Sequence, residues 1–342
     1  MKYCAGRLPT QNTGPLFTSA KPLDWGLHST IIGLAGLGFL GRGIATCLLT
    51  RGFHVVAFDT VPGAEETLST YIETAAAEIA IFTGNADSLT GWRQRYKHAH
   101  SPADLHECGL VIESITEDLA AKKALFELLE EHIGPAVPIA SNTSSLPITL
   151  LQAGRKHPER FAGMHWSSPA YATRFLEIVR GGQTNTETVD LIVRIATELG
   201  KDPAVVRKDV PGFIANRVAY AMYREALHLL ETGVGDAETI DRACRNSLGL
   251  WTALCGPFRW MDISGGPALY GKAMESIIPD LSNETQVPAT MQRMQEDDNR
   301  GALNGRGFYN YAPGSAAEWQ TALYEHAWKI EELRDEDPKP GK

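Results

Sequence analysis

Positive charge is what this sequence has least of. Lysine and arginine number 32 against 41 aspartate and glutamate, a formal net charge of -9. That balance argues against a nucleic-acid backbone or an anionic membrane as the main partner. Long apolar runs are also missing: none reaches the roughly 18 residues that a membrane span needs. The five cysteines, Cys4, Cys47, Cys108, Cys244 and Cys255, are odd in number and scattered. With no C-x-x-C spacing they give no sign of a disulfide framework or a metal site, and they suit a reducing, cytoplasmic compartment. What remains is ordinary globular composition, 43% hydrophobic and 21% charged over 342 residues, enough for two domains.

The first 29 residues carry no apolar core of a secretory signal. Pro9, Gly14, Pro15 and Pro22 break any amphipathic helix there, so residues 1–29 are expected to form a flexible or surface-wrapping arm. From Thr30 short apolar strands alternate with helical stretches, which predicts a doubly wound, mostly parallel α/β sheet. Strands are expected at Thr30–Leu34, His54–Phe58, Leu110–Glu113, Val137–Ala140, Phe161–His165, Phe175–Val179 and Ala204–Arg207. Helices are expected at Leu40–Arg51, Ala64–Phe82, Leu119–His132 and Thr186–Leu199. After Pro211 the pattern becomes all-helical, with Ile214–Thr232, Ala237–Ser247, Gly266–Ile278, Pro288–Glu296 and Ala316–Arg334. The domain assignment is therefore 30–210 for a nucleotide-binding Rossmann domain, 211–334 for a helical domain, and 335–342 for a polar tail.

Gly36-Leu37-Gly38-Phe39-Leu40-Gly41 stands between the first strand and the first helix. Gly36 allows the tight turn, Gly38 lets backbone approach a pyrophosphate, and Gly41 lets helix and strand pack closely. The helix amides, including those of Phe39 and Leu40, would face the phosphates. Asp59 ends the second strand, 18 residues past Gly41. A carboxylate there accepts from ribose hydroxyls and repels a 2′-phosphate, which predicts NAD over NADP.

His165 ends the strand Phe161–His165, and Glu177 lies twelve residues on, inside the apolar run Phe175–Val179. A carboxylate buried there needs a partner. Pairing it with His165 would fix the imidazole tautomer and favour the cation formed when the ring takes a proton. That is the chemistry of alcohol oxidation: a base for the hydroxyl proton while hydride leaves for a nicotinamide.

Several motifs resemble the 3-hydroxyacyl-CoA dehydrogenase family over Thr30 to about Tyr311. They are Ser141-Asn142-Thr143-Ser144-Ser145-Leu146, Gly163-Met164-His165, Glu177, Lys208-Asp209-Val210-Pro211-Gly212-Phe213-Ile214-Ala215-Asn216-Arg217, Gly256-Pro257-Phe258, and Gly305-Arg306-Gly307-Phe308-Tyr309. The resemblance implies a Rossmann domain, a helical domain that forms a homodimer and, with it, the substrate cleft, and His165 with Glu177 as the catalytic pair. It also implies Ser144 and Asn216 as ligands of the substrate oxygen, and Glu117 and Lys122 as cofactor contacts. Ser144, read alone, is a helix cap; Asn216 is a surface residue of a long helix.

Three departures from the family bear on the substrate. Ser168 stands where an asparagine is usual, which alters the substrate pocket. Leu303 replaces a common lysine. Between Thr60 and Trp92 there is no lysine or arginine, although Glu65, Glu66, Glu73, Glu78 and Asp87 are present. Coenzyme-A-using members carry lysines there, so the stretch argues against an acyl-CoA substrate. Other branches act on small free compounds such as gulonate, carnitine and a pyridine carboxylate. Met164–Ser167 and Lys208–Phe213 look most similar to the last. Arg174 is a candidate clamp for a carboxylate, and Trp166, Trp251 and Trp260 for the walls of a compact pocket.

The expectation is an NAD-dependent dehydrogenase of a small hydroxy compound. Its rivals are a true L-3-hydroxyacyl-CoA dehydrogenase and a non-catalytic NAD-binding structural protein. A β-hydroxyacid dehydrogenase would need a lysine on the helix after the domain boundary, and 214–231 has none.

Overall fold

The computed structural model describes residues 29–336. The expected arm and most of the expected tail fall on 1–28 and 337–342, outside the described residues. The chain divides into two compact units, one of residues up to 209 joined by those from 331 onward, the other 210–330.

The first unit runs β1 (Ile31–Ala35), α1 (Phe39–Thr50), β2 (His54–Phe58), α2 (Ala64–Thr83), β3 (Tyr96–Ala99), β4 (Leu110–Glu113), α3 (Leu119–His132), β5 (Ile139–Ser141), α4 (Ile148–Gln152), β6 (Phe161–Trp166), β7 (Phe175–Val179), α5 (Thr186–Glu198) and β8 (Asp202–Val206). The strands form one sheet in the order β3-β2-β1-β4-β5-β6-β7-β8. Pairing is parallel except between β6 and β7. Ile32, Leu34, Val111 and Ile112 are fully buried, as a parallel sheet covered on both faces demands.

The sheet is doubly wound: strand order reverses between β1 and β4, the point where such folds bind ligands at the carboxyl ends of their strands. The ends of β1 to β6 lie along that one edge because those strands run parallel.

β3 was not expected from the sequence. Tyr-Lys-His-Ala carries no apolar alternation, since β3 is an edge strand with one side unpaired and a polar composition suits it. At the other edge β8 starts at Asp202, two residues before the expected start, and accommodates Pro203, which an edge strand tolerates.

The second unit is helical: α6 (Ala215–Glu231), α7 (Ala237–Ala243), α8 (Gly249–Thr252), α9 (Gly256–Ile263), α10 (Pro267–Ile277), α11 (Ala289–Glu296) and most of α12 (Ser315–Glu336). The single helix expected from Ala237 continues through a π-helical turn at Cys244–Leu248 into α8. A helix missed from the sequence, α9, starts with Pro257 in its first turn, where the missing N–H is harmless. The C-terminal end of α12 groups with the first unit, where the sequence placed it in the helical domain. Among the described residues no helix is long and apolar enough to cross a membrane.

Candidate active site and cofactor cradle

The glycine turn is sterically determined. Gly36 has φ +102, and a Cβ on it would run into the Ser114 carbonyl. A Cβ on Gly41 would collide with the carbonyl of Gly36 itself. Gly38 differs, since a Cβ there would meet nothing within 4 Å. The turn thus needs two glycines for its own geometry and leaves open space over the third.

The first turn of α1 has no side-chain cap and no acidic residue, an N-terminus suited to an anion. Phe39 and Leu40 open that turn. Asp59 accepts the Leu37 amide at 2.6 Å through one carboxylate oxygen and the Val61 amide at 2.7 Å through the other. Both bonds orient the carboxylate beside a cavity of about 340 Å³ bounded by 59–66 and 98–100. These residues fit a dinucleotide cofactor: the open space over Gly38 would admit a pyrophosphate and Asp59 would accept from a ribose.

Next along the edge is a buried polar cluster. Lys122 is 1% exposed and its ammonium lies 2.6 Å from Glu113 and 3.3 Å from Glu117. Glu113, fully buried, also accepts the Ser141 hydroxyl at 2.5 Å and the Ile115 amide at 2.8 Å. Glu117 gathers the loop after β5, accepting from the Thr143 hydroxyl (2.7 Å) and the amides of Ser144 (2.9 Å) and Ser145 (3.0 Å). Ser144 therefore does not cap α4, whose N-cap is Pro147.

Burial pushes the Glu117 carboxyl up. The Thr143 hydroxyl, the Ser144 amide, the Lys122 ammonium and the Ser145 amide outweigh it and bring the value down to about 2. The group is 35% exposed, so only part of the roughly 3 kcal/mol implied by that shift survives solvent screening. Its folded value lies below its unfolded one, so the stabilisation is present above pH 4.5 and lost as pH falls toward 2. E117Q is expected to lower unfolding free energy by about 1–2 kcal/mol at neutral pH. Urea titrations at several pH values should show the gap to wild type closing on acidification; a gap indifferent to pH would contradict the assignment.

His165 and Glu177 are directly opposite each other in the antiparallel β6–β7 pair, so their side chains share a face. Nδ1 of His165 is 2.8 Å from Oε2 of Glu177. Glu177 is 1% exposed and His165 8%, and the imidazole packs edge-on against Phe175. Asn142 ties this pair to the cradle: its amide donates to the Ser114 hydroxyl (3.0 Å) and its carbonyl oxygen accepts the Trp166 amide (2.9 Å).

Ser168 lies in the loop between β6 and β7. That loop is anchored by Lys201, whose buried ammonium donates to the carbonyls of Ala170 and Thr173 and lies 5.2 Å from the Trp166 ring centre. Burial pushes the Lys201 ammonium down. Asn216 is the second residue of α6, in the helical unit.

Arg174 has its carboxylate inside the protein: Nε is 2.7 Å from Glu331 of α12, which Arg334 also holds at 3.0 Å. The pairing ties Arg174 to α12 through its Nε. Trp166 is core under Lys201, and Trp251 stacks on Trp260 at 5.6 Å within the helical unit.

Glu113, Ser141 and Asn142 were missed as site residues. Glu113 had a signal, since a carboxylate ending the apolar run Leu110–Ile112 poses the same question of an unpaired buried charge that singled out Glu177.

Comparison with known proteins gives matches to two family models. Residues 31–210 match the 3-hydroxyacyl-CoA dehydrogenase NAD binding domain, and 212–311 the C-terminal domain of the same family. The chain is similar to 5-formyl-3-hydroxy-2-methylpyridine 4-carboxylate 5-dehydrogenase of Mesorhizobium japonicum, 34% identical over 82% of this chain and 91% of that protein. It is similar to L-carnitine dehydrogenase of Oceanobacillus iheyensis, 33% identical over 78% and 87% of the two. It is also similar to a probable 3-hydroxybutyryl-CoA dehydrogenase of Bacillus subtilis, 32% identical over 81% and 96%. A crystal structure of the pyridine-carboxylate dehydrogenase, described as an NAD+ dependent dismutase, superposes with a TM-score of 0.79 at 32% identity, covering 89% of this chain and 97% of that one.

Proposed function

Because the chain belongs to the 3-hydroxyacyl-CoA dehydrogenase family and is an NAD-dependent dehydrogenase acting on CH–OH groups, we propose that its substrate is a small hydroxy carboxylate without coenzyme A. The reaction is oxidation of the secondary alcohol, or reduction of the matching carbonyl.

The observation that carries this reading is the charge of α2. Glu65, Glu66 and Glu73 are exposed on it, and the nearby Arg93 is engaged with Glu73 at 3.1 Å and Ser69 at 2.6 Å. A coenzyme A tail would bring several negative charges to that surface and be repelled. The names of two relatives, a pyridine carboxylate enzyme and a carnitine enzyme, support a small substrate without coenzyme A.

Gly36, Gly38, Phe39, Leu40 and Gly41 would hold NAD, and Asp59 would accept from its ribose hydroxyls. Glu117, with Lys122 paired to it at 3.3 Å, would supply the cofactor contacts after β4. When bound, NAD supplies the hydride acceptor. Glu177 accepts the Nδ1 proton of His165, which leaves Nε2 as the nitrogen that takes the alcohol proton. The imidazolium so formed is stabilised by the buried carboxylate at 2.8 Å. Ser144 of the first unit and Asn216 of the helical unit are the residues that the family resemblance assigns to the substrate oxygen, and Ser168 is the candidate on the loop after β6 for shaping the substrate pocket. In the reverse direction His165 returns the proton to the carbonyl oxygen.

The working unit is a homodimer in the cytoplasm. Large exposed apolar side chains of the helical unit support association through it, among them Tyr220 (68% exposed), Leu250 (74%) and Phe258 (79%).

The reading is tested by following NADH formation from NAD with a panel of free hydroxy carboxylates. At least one is expected to reach a kcat/KM of about 10⁴ M⁻¹s⁻¹ or more. Turnover of L-3-hydroxybutyryl-CoA alone would overturn it in favour of an acyl-CoA dehydrogenase.

A further inference from the structure

With Arg174 tied to Glu331, a substrate carboxylate needs another cation. Among the described residues of the first unit, Arg42, Arg95, Arg155 and Arg160 each bury an Nε without a hydrogen-bond partner, and Arg42 among them borders a cavity. Arg42, in the first turns of α1, borders a cavity of about 420 Å³ lined also by Glu66, Thr67, Thr70, Tyr71 and Thr74 of α2. Its Nε is buried with no hydrogen-bond partner among the described residues. Its guanidinium carbon lies 5.6 Å from the centre of the Tyr71 ring, a contact that satisfies the face of the cation but none of its N–H groups.

Residues 67, 70, 71 and 74 follow i, i+3, i+4, i+7 spacing and so form one stripe of α2. The other stripe, Leu68, Ile72, Ala75 and Ile79, is core. On the cavity stripe each threonine hydroxyl donates to the carbonyl four residues earlier: Thr67 to Gly63 (2.9 Å), Thr70 to Glu66 (3.1 Å), Thr74 to Thr70 (3.1 Å). The proton of each is thereby used, and what each oxygen offers the cavity is an acceptor. The cavity therefore presents one guanidinium, a row of acceptors and the Glu66 carboxylate.

The cavity adjoins the loop that leaves β6 after His165. Tyr71 meets Tyr171 of that loop edge-on at 6.3 Å. A Cβ added to Gly43, one residue past Arg42, would come within 3.2 Å of Ala170.

We propose that this cavity is the subsite for the substrate's carboxylate, with Arg42 as its ligand, and that the substrate also carries a hydrogen-bond donor or cationic group met by the threonine oxygens and Glu66. The ligand class is a compact carboxylate bearing a hydroxyl, amine or ammonium group. The assignment rests on the small-carboxylate reading above and adds to it the residue that does the selecting.

Calorimetric titration of the NAD-loaded full chain tests it with two matched pairs as probes, acetoacetate against methyl acetoacetate and benzoate against benzamide. Wild type is expected to bind at least one carboxylate about ten-fold more tightly than its neutral partner, the strength of a charged hydrogen-bonded pair. R42M is expected to lose that preference, R42K to keep part of it, and NAD affinity to be the same in all three. Absence of preference in wild type, a preference that R42M keeps, or weakened NAD binding in R42M would each overturn the assignment. Failure of the broader reading looks different. If carboxylate binding depends on Arg42 but no free hydroxy acid is oxidised, the subsite stands and the reaction assigned to it falls. If free acids turn over with a KM that R42M leaves unchanged, the reaction stands and the subsite falls.

Discussion

H165Q is expected to bind NAD as wild type does and to lose about a hundred- to ten-thousandfold in kcat, the usual contribution of a positioned general base. Glutamine is close in length to histidine and can still donate to Glu177, so the buried carboxylate keeps a donor and the β6–β7 pairing need not change. What it lacks is a nitrogen that accepts a proton near neutral pH. The loss should therefore sit in kcat, with NAD affinity by calorimetry and the thermal midpoint both near wild type. Activity surviving in H165Q would mean that another group removes the alcohol proton, and the 2.8 Å contact between His165 and Glu177 would then be structural.

The second large effect belongs to the glycine turn, where two substitutions of the same size should behave differently. In G41A the new methyl group collides with the Gly36 carbonyl, which is backbone and cannot rotate away. Overpacking of this kind typically destabilises by about 1–3 kcal/mol, and because the strained segment is the cradle itself, NAD affinity should fall about a hundred-fold. In G38A the methyl group meets no protein atom within 4 Å. The thermal midpoint should then stay where it is while NAD binding weakens, because the space filled is the cofactor's. A G38A protein with unaltered NAD affinity would show that the pyrophosphate does not lie over this turn.

The contrast between those glycines shows what the sequence could and could not reveal. The motif Gly36-x-Gly38-x-x-Gly41 stood out because its spacing is dictated by local geometry, and local geometry is written in consecutive residues. His165 and Glu177 were legible for a different reason: an ionisable group inside an apolar run poses a question that its cross-strand neighbour answers. β3 lacked such a signal, since an edge strand does not need alternation. Glu113 and Lys122 were visible as charges near a strand and on a helix, but their mutual 2.6 Å contact depends on how α3 packs over β4. The partner of Arg174 was not legible, since Glu331 lies more than 150 residues later and is brought beside it only by the packing of α12. Arg42 gave no sign at all. Its standing comes from Tyr71 and the threonines of α2, brought beside α1 only by the fold.

The missing positive charge of 60–92 falls largely on α2, and the proposed preference for a compact carboxylate over a polyanionic coenzyme rests on that surface. The most direct test is NADH oxidation by the wild-type protein with one matched pair, acetoacetate and acetoacetyl-CoA, at equal concentrations. The account predicts the higher kcat/KM for the free acid; a clear preference for the coenzyme A thioester would contradict it.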